Sequence, residues 1–145
     1  QIAGRDYLLD VAHNPASVSK MLEYMSVIPC KGKTFCVFLV MADKDIGGML
    51  ASAANAFDGW FLADQPEHPR AAGAADVAAW LQPLTDATIS VSPTLQQAFE
   101  RARSALAVGD RLVVFGSFLT VAAVIPLLDA EQDRVVERTH SKGSR

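Results

Sequence analysis

The stretch LLDVAHNP, residues 8–15, places a carboxylate, an imidazole and the start of a helix close together. Asp10 ends an apolar run, and Asn14-Pro15 is typical of a helix N-cap followed by the first helical residue. The N-terminus of a helix has a partial positive charge and free N–H groups that attract phosphate. We therefore predict a nucleotide site, in which Asp10 accepts hydrogen bonds from ribose hydroxyls, His13 donates to a phosphate oxygen and Asn14 lies beside them. The alternative is that all three are ordinary turn and cap residues.

A second candidate loop, MADKDIGGML, follows the next apolar run. Lys44 lies between Asp43 and Asp45, directly before a predicted helix, so its ammonium group can face a carboxylate or a phosphate. The alternative is a solvated turn in which Asp45 caps the helix.

Two further loops offer groups that bind anions. Arg70 follows Pro69 in a long loop with two prolines, and its planar guanidinium can bind a carboxylate in a bidentate manner. Gly116-Ser117 follows the last apolar run, where glycine permits a close backbone approach and serine supplies a hydroxyl to an anionic ligand. The alternative for Ser117 is a role as the N-cap of the last helix.

The elements that position these loops alternate along the chain. Helical apolar spacing separates the strand-like runs, and it predicts helices over 18–25, 46–57, 77–84, 95–102 and 121–128. The pattern predicts an α/β fold with a Rossmann-like, doubly wound, mostly parallel sheet of about five to six strands and helices on both faces. Ligands bind beyond the carboxyl ends of such strands. The strand-like runs, which we expect to be buried on both faces, are 7–11, 34–41, 59–63, 88–91 and 111–116.

Composition narrows the function classes. Half of the 145 residues are apolar, which suits one domain, predicted over 1–128, followed by a charged and partly disordered extension over 129–145. The 13 basic and 16 acidic residues give a net charge of −3, which argues against nucleic acid as a partner. Cys30 and Cys36 do not have metal-site spacing and favour a reducing, cytoplasmic location. No apolar run is long enough to cross a membrane, and Gln1 in place of an initiator methionine suggests a piece of a longer chain.

Four motifs in this order, LLDVAHNP, VMADKDIGGML, PEHPRA and VVFGSFLTV, closely resemble the C-terminal domain of the dihydrofolate synthase/folylpolyglutamate synthases, a branch of the Mur ligase family. The resemblance extends from about Asp6 to Leu128. It implies an ATP-dependent amide ligase, in which ATP phosphorylates a folate or dihydropteroate carboxyl group and the amino group of L-glutamate attacks the acyl phosphate.

The resemblance also implies roles for single residues. Asp10 is similar to the residue that bonds the ATP ribose, with His13 and Asn14 in the same nucleotide site. Lys44 is similar to the lysine near the incoming amino acid and the acyl phosphate, which makes His13 and Lys44 the catalytic candidates. The remaining substrate-binding candidates, which are expected to face the amino acid, are Asp45, Arg70 and Ser117.

In the same family the phosphate-binding loop and the Mg²⁺ ligands belong to an N-terminal ATPase domain, which we expect to be the partner of this chain. We therefore expect no metal ligands here, a monomer, and no turnover by this chain alone. Leu119 stands where the family pattern has a histidine.

Two alternatives stay open. One is a peptidoglycan Mur ligase or another amino-acid ligase, against which the DKDIGG sequence speaks. The other is a receiver-like or nucleotide-sensing module without catalysis, in which Asp64, near the end of the third strand-like run, would be the phosphoacceptor. A receiver also needs paired acids after its first strand, where this chain has His13-Asn14-Pro15.

Overall fold

The computed structural model describes the backbone of residues 1–143 and the side chains of residues 1–135. Within these residues it contains five strands and five helices in alternation. A short 3-10 turn over Gln82–Leu84 follows the third helix, where Pro83 prevents the helix from continuing. The strands are β1 (Asp6–Leu9), β2 (Thr34–Phe38), β3 (Gly59–Ala63), β4 (Thr88–Ser92) and β5 (Arg111–Phe115), and the helices are α1 (Pro15–Val27), α2 (Ile46–Ala53), α3 (Ala74–Leu81), α4 (Leu95–Ala105) and α5 (Phe118–Gly143).

All five described strands pair in parallel, in the order β1-β5-β2-β3-β4, which confirms the predicted doubly wound α/β fold. The chain crosses the sheet in one direction from β1 to β4 and then returns to insert β5 between β1 and β2. Because crossovers between parallel strands are right-handed, the outward and the return connections place their helices on opposite faces. Helices α1, α2 and α3 therefore cover one face, and α4 and α5 cover the other.

Two apolar clusters fill the spaces between the sheet and these helices. Alternate residues of a strand point to opposite faces, so Cys36 and Phe38 of β2 face α1–α3 while Val37 faces α4 and α5. On the first face, the Phe38, Trp60 and Phe115 rings pack edge-on or tilted, with ring centroids 4.8–6.0 Å apart.

The prediction that every strand is buried on both faces is wrong for the two edge strands. The residues of β1 are all half-buried, and Val91 of β4 is exposed. The predicted helix over 46–57 was also too long, since α2 ends at Ala53 and Phe57 lies beyond it, although the ring is still buried in the core. Apolar spacing identifies residues that reach the core, whether they belong to a helix or to the turn that follows it. The buried Phe57 therefore extended the predicted helix beyond its true end.

Helix α5 crosses the predicted domain boundary after Leu128 without a break and continues to Gly143. Glu131, which is buried, holds this part of the helix against α4 by an ion pair with Arg103 at 3.6 Å, and it also pairs with Arg134 at 3.1 Å. The start of the predicted extension is thus helical and packed. Its last residues, 144–145, lie outside the described residues, and the boundary at residue 128 stays a prediction.

The strand order also decides against the receiver alternative, because receiver domains have the order 2-1-3-4-5. The carboxylate of Asp64, the acid after β3, holds the start of α3, because its Oδ1 accepts the Ala74 N–H at 2.8 Å. No helix in the described residues is long and apolar enough to span a membrane.

Candidate functional site

The loops after β1, β5 and β2 lie side by side because these three strands are neighbours in the sheet. Backbone hydrogen bonds continue the pairing past the strand ends. The Gly116 N–H donates to the Ala12 carbonyl at 3.0 Å, and the Leu39 N–H donates to the Phe115 carbonyl at 3.4 Å. The loops that contain Asp10, Ser117 and Lys44 are therefore brought together at one edge of the sheet.

The start of α1 is closed by a reciprocal cap. Asn14 Oδ1 accepts the Ser17 N–H at 2.8 Å, and Ser17 Oγ accepts the Asn14 N–H at 3.2 Å. Asn14 as N-cap and Pro15 as first helical residue are confirmed. The role of Ser17 was not predicted, although a polar residue three positions after an N-cap is the sequence signal of a capping box.

This cap limits the anion-binding capacity of α1. In the first turn, the Ser17 N–H bonds the cap and Pro15 has no N–H, which leaves the Ala16 N–H. The His13 and Asn14 N–H groups both face Ser17 Oγ. A bound phosphate would meet fewer donors here than the sequence predicted.

The geometry of His13 also differs from the expectation. Its Nδ1 lies 3.0 Å from the Val11 carbonyl oxygen. Because a carbonyl only accepts, this hydrogen bond requires the ring proton on Nδ1, and Nε2 of the neutral imidazole then offers a lone pair. In this arrangement only the imidazolium form can donate from Nε2 to a phosphate oxygen, whereas the neutral ring accepts from a hydroxyl or an amino group.

Asp10 has one carboxylate oxygen engaged and one available. Oδ1 accepts the Ala12 N–H at 2.8 Å in a tight turn, and Asp10 N–H donates to the Val114 carbonyl at 2.9 Å. Among the described residues, Oδ2 has no hydrogen-bond partner, and the residue is half-buried. A rigidly held carboxylate with one free oxygen suits a hydroxyl group of a ribose.

We predict that Asn14→Ala lowers the free energy of unfolding by about 1 kcal/mol, because the substitution removes the side-chain acceptor of the α1 cap. Urea unfolding of the chain measures this value. Ser19→Ala, at an exposed position of the same helix, is the control and should change stability by less than about 0.5 kcal/mol. Equal stability of the two variants would contradict the importance of the cap.

The Lys44 loop and the Arg70 loop are joined by backbone hydrogen bonds. The Ala42 N–H donates to the Arg70 carbonyl at 2.8 Å, and the Ala72 N–H donates to the Val40 carbonyl at 2.8 Å. Lys44 is exposed, and the structure gives its ammonium no partner among the described residues. The Arg70 guanidinium lies 3.5 Å from the Asp43 carboxylate in an exposed ion pair. Such pairs contribute about 0–1 kcal/mol, so a ligand can displace it.

Asp45 caps α2, as its alternative interpretation predicted. Its Oδ1 accepts the Gly48 N–H at 3.0 Å. A Cβ at Gly48 would lie only 2.8 Å from Pro15 Cγ, so glycine lets the starts of α1 and α2 approach closely. The Asp45 carboxylate therefore serves α2, and its contact with a substrate stays a prediction.

Ser117 is buried and caps α5. Its Oγ accepts the Thr120 N–H at 3.1 Å and lies 2.8 Å from Thr120 Oγ1. The cap alternative for this residue is thus confirmed, and its contact with the amino acid stays a prediction. Leu119 is half-buried and packs against the apolar cluster of α4 and α5.

Two apolar side chains are exposed at the same edge of the sheet. Val11 follows β1 and is 36% exposed, and Phe118 begins α5 and is 71% exposed. Single exposed apolar side chains are common on protein surfaces, so these two residues alone do not define an interface.

Neither cysteine is placed for catalysis or metal binding. Burial raises the pKa of the Cys36 thiol well above its usual range, which keeps it protonated and unreactive. Cys30 is at the opposite end of the sheet, where its Sγ lies 3.5 Å from the Gly109 carbonyl oxygen. In the part of the chain with described side chains, no group of three or more His, Cys, Asp or Glu residues could hold a metal ion.

Comparison with known proteins identifies close similarities. The family described as "Mur ligase, glutamate ligase domain" matches residues 1–118. A dihydrofolate synthase/folylpolyglutamate synthase of Escherichia coli (strain K12) is 34% identical over 125 residues, which are 86% of this chain and 28% of that protein. This chain therefore spans less than a third of the length of that relative.

Solved structures agree with the sequence matches. Escherichia coli FolC in complex with ADP, without folate substrate, is similar over 92% of this chain and 31% of that chain, with a TM-score of 0.79 and 31% identity. A bifunctional folylpolyglutamate synthase/dihydrofolate synthase with Mn, AMPPNP and L-glutamate bound is similar over 89% of this chain and 30% of that chain, with a TM-score of 0.75 and 32% identity.

Proposed function

Because this chain belongs to the Mur ligase family, as its glutamate ligase domain, we propose that it is part of an ATP-dependent amide ligase. The reaction joins L-glutamate to dihydropteroate, to tetrahydrofolate or to both, through an acyl phosphate. The observation that supports this most strongly is the alignment of the loops after β1, β5 and β2 at one edge of the sheet. This alignment supports one shared site, in which Asp10 would accept from a ribose, Lys44 would face an acyl phosphate and the Ser117 loop would lie between them.

The nucleotide side of the proposed site consists of Asp10, His13 and Asn14. The free Oδ2 of Asp10 accepts from a ribose hydroxyl, and the lone pair on His13 Nε2 accepts from a neighbouring hydroxyl or amino group. Asn14 holds the start of α1 in place through its cap. The related structures contain ADP or AMPPNP, which supports a nucleotide at these residues.

The amino-acid side of the proposed site consists of Lys44, Asp45, Arg70 and Ser117. The two cations lie on joined loops and attract the carboxylates of glutamate and the negative charge of the acyl phosphate. Lys44 is a proposed catalytic residue, because its ammonium has no competing partner in the described residues, and His13 stays the second catalytic candidate. A related structure holds L-glutamate, which supports this substrate.

The chain is proposed to work with an N-terminal ATPase domain of the same polypeptide, as a monomer. That domain would supply the phosphate-binding loop and the Mg²⁺ ligands, and a related structure holds Mn with AMPPNP. Closure of the two domains would exclude water from the acyl phosphate, which hydrolyses readily. The two cysteines are free, which supports a reducing compartment, and we propose the cytoplasm.

We predict that this chain alone binds AMPPNP with a Kd of about 1 mM or weaker, which corresponds to about −4 kcal/mol. The physical reason is that one domain leaves most of the nucleotide in water, and α1 offers few free N–H groups. Titration calorimetry with AMPPNP and Mg²⁺ measures this affinity, with Asp10→Asn as the matched variant. A micromolar Kd that is unaffected by Asp10→Asn would contradict the proposal that the nucleotide site is shared between this chain and an N-terminal domain.

The decisive test of the proposal is ligation by a polypeptide that joins this chain to the N-terminal part of its parent enzyme. The assay supplies ATP, Mg²⁺, L-glutamate and either dihydropteroate or tetrahydrofolate, and it follows the glutamylated product by mass spectrometry. Product from either acceptor supports the proposal and identifies the acceptor. ATP hydrolysis without transfer of glutamate to either acceptor would refute it.

A further inference from the structure

One buried hydroxyl connects two of the candidate loops. Thr120, in the first turn of α5, is 0% exposed, and its Oγ1 lies 2.6 Å from the Leu39 carbonyl oxygen. Leu39 directly follows β2 and precedes the Lys44 loop. The same Oγ1 lies 2.8 Å from Ser117 Oγ. Thr120 therefore contacts both the loop after β5 and the end of β2, which are 81 residues apart in sequence.

The direction of each hydrogen bond in this cluster follows from the atoms involved. A carbonyl oxygen only accepts, so the Thr120 hydroxyl proton points to Leu39. Thr120 Oγ1 then accepts the Ser117 hydroxyl proton, and Ser117 Oγ accepts the Thr120 N–H at 3.1 Å. The Ser117 proton is thus used inside the protein, and a ligand that reaches Ser117 Oγ meets a lone pair.

We propose that Thr120 is a positioning residue for the amino-acid half of the site, an inference that rests on the proposed ligase function. Its hydroxyl holds the Ser117 loop at a fixed distance from the Lys44 loop and directs the Ser117 proton inward. Ser117 then faces a hydrogen-bond donor of the substrate, such as the amino group of glutamate. Recognition of the glutamate carboxylates falls to Lys44 and Arg70, the cations of the two joined loops.

The close approach of the two loops agrees with this role. Gly116 has a φ of +122°, and a Cβ at this position would collide with the Leu39 carbonyl group, whose carbon would be 2.9 Å away. The Leu39 carbonyl, which accepts the Thr120 hydroxyl proton, thus also leaves no room for a side chain at Gly116, the residue before Ser117. Any change that frees this carbonyl would let the β5–α5 loop shift relative to β2.

The test compares Thr120→Val, which keeps the shape and loses the hydroxyl, with Thr120→Ser, which keeps the hydroxyl, in the joined polypeptide. We expect Thr120→Val to raise the KM for glutamate about tenfold, the effect of one unsatisfied buried hydrogen-bonding group, and to leave the KM for ATP within about twofold. Thr120→Ser should retain the wild-type KM for glutamate. Ser117→Ala combined with Thr120→Val should add little to Thr120→Val alone, because both act on one network.

Thr94→Val is the matched control, since Thr94 Oγ1 caps α4 by accepting the Gln97 N–H at 3.2 Å and joins no loops of the candidate site. It should lower stability without raising the KM for glutamate. A Thr120→Val enzyme whose KM for glutamate equals that of the wild type would overturn the inference. Absence of ligation by the wild-type polypeptide would instead refute the proposed function.

A measurement on the wild-type chain keeps the inference testable if Thr120→Val does not fold. In NMR spectra we expect slowly exchanging hydroxyl protons for Ser117 and Thr120, with the Thr120 proton coupled to the carbonyl carbon of Leu39. Rapid exchange of both hydroxyl protons with water would overturn the proposed network.

Discussion

Gly116→Ala is expected to lower the free energy of unfolding by about 3 kcal/mol or more. The residue has a φ of +122°, a backbone conformation that costs an L-residue about 1–3 kcal/mol. The new methyl group would also collide with the Leu39 carbonyl group and lie 3.2 Å from Phe38 Cδ1. Overpacking of this kind costs about 1–3 kcal/mol more. Urea unfolding of the chain, followed by circular dichroism, measures the loss.

Gly47→Ala is the matched control for this substitution. Gly47 lies on the exposed side of α2, and a Cβ there has no atom within 4 Å. The alanine should leave stability unchanged or raise it by up to about 1 kcal/mol, since alanine favours helix more than glycine does. If Gly116→Ala unfolded at the same urea concentration as Gly47→Ala, the conclusion that the loops after β5 and β2 approach too closely for a side chain would be contradicted.

Lys44→Ala is expected to lower kcat/KM for glutamate ligation by about 10²- to 10³-fold in the polypeptide that joins this chain to its N-terminal partner. Removal of one group that stabilises developing negative charge at a reaction centre costs about this much. Lys44 is exposed and has no partner in the described residues, so its loss should change the free energy of unfolding by less than about 0.5 kcal/mol. Steady-state kinetics and urea unfolding separate the two effects.

Lys20→Ala controls for the loss of one positive charge. Lys20 is exposed on α1 and is separate from the candidate loops. Its substitution should leave ligation within about twofold of the wild type, because surface charges away from a site are screened at physiological ionic strength. Ligation by Lys44→Ala at the wild-type rate would show that Lys44 does not stabilise charge in the reaction.

The proposed function explains why the two candidate cations, Lys44 and Arg70, lie on an open surface. Both side chains are exposed, and Phe118 and Val11 follow strands that end at the same edge of the sheet. Electrostatic stabilisation is strong only where water is excluded. The same side chains would therefore act fully only after a second domain covers them, and the activity of this chain alone should be negligible.

Local sequence determined the elements and the ends of several helices. The run GWFLA predicted β3 with the bounds that the structure has. Asn14, Asp45 and Ser117 were recognised as cap candidates and are caps. These features depend on side chains a few residues away, so the local sequence contains the information needed to predict them.

The tertiary structure alone decided which loops meet. Alternation of strands and helices predicted a parallel sheet but no strand order, and the insertion of β5 between β1 and β2 places Ser117 between Asp10 and Lys44. The Thr120 hydroxyl and the Leu39 carbonyl are 81 residues apart, so no local pattern reveals their contact. The edge positions of β1 and β4 were likewise not predicted, because the alternation of strands and helices does not reveal the strand order. Strand order depends on how the whole chain buries its apolar surface, and that is settled by packing between distant segments.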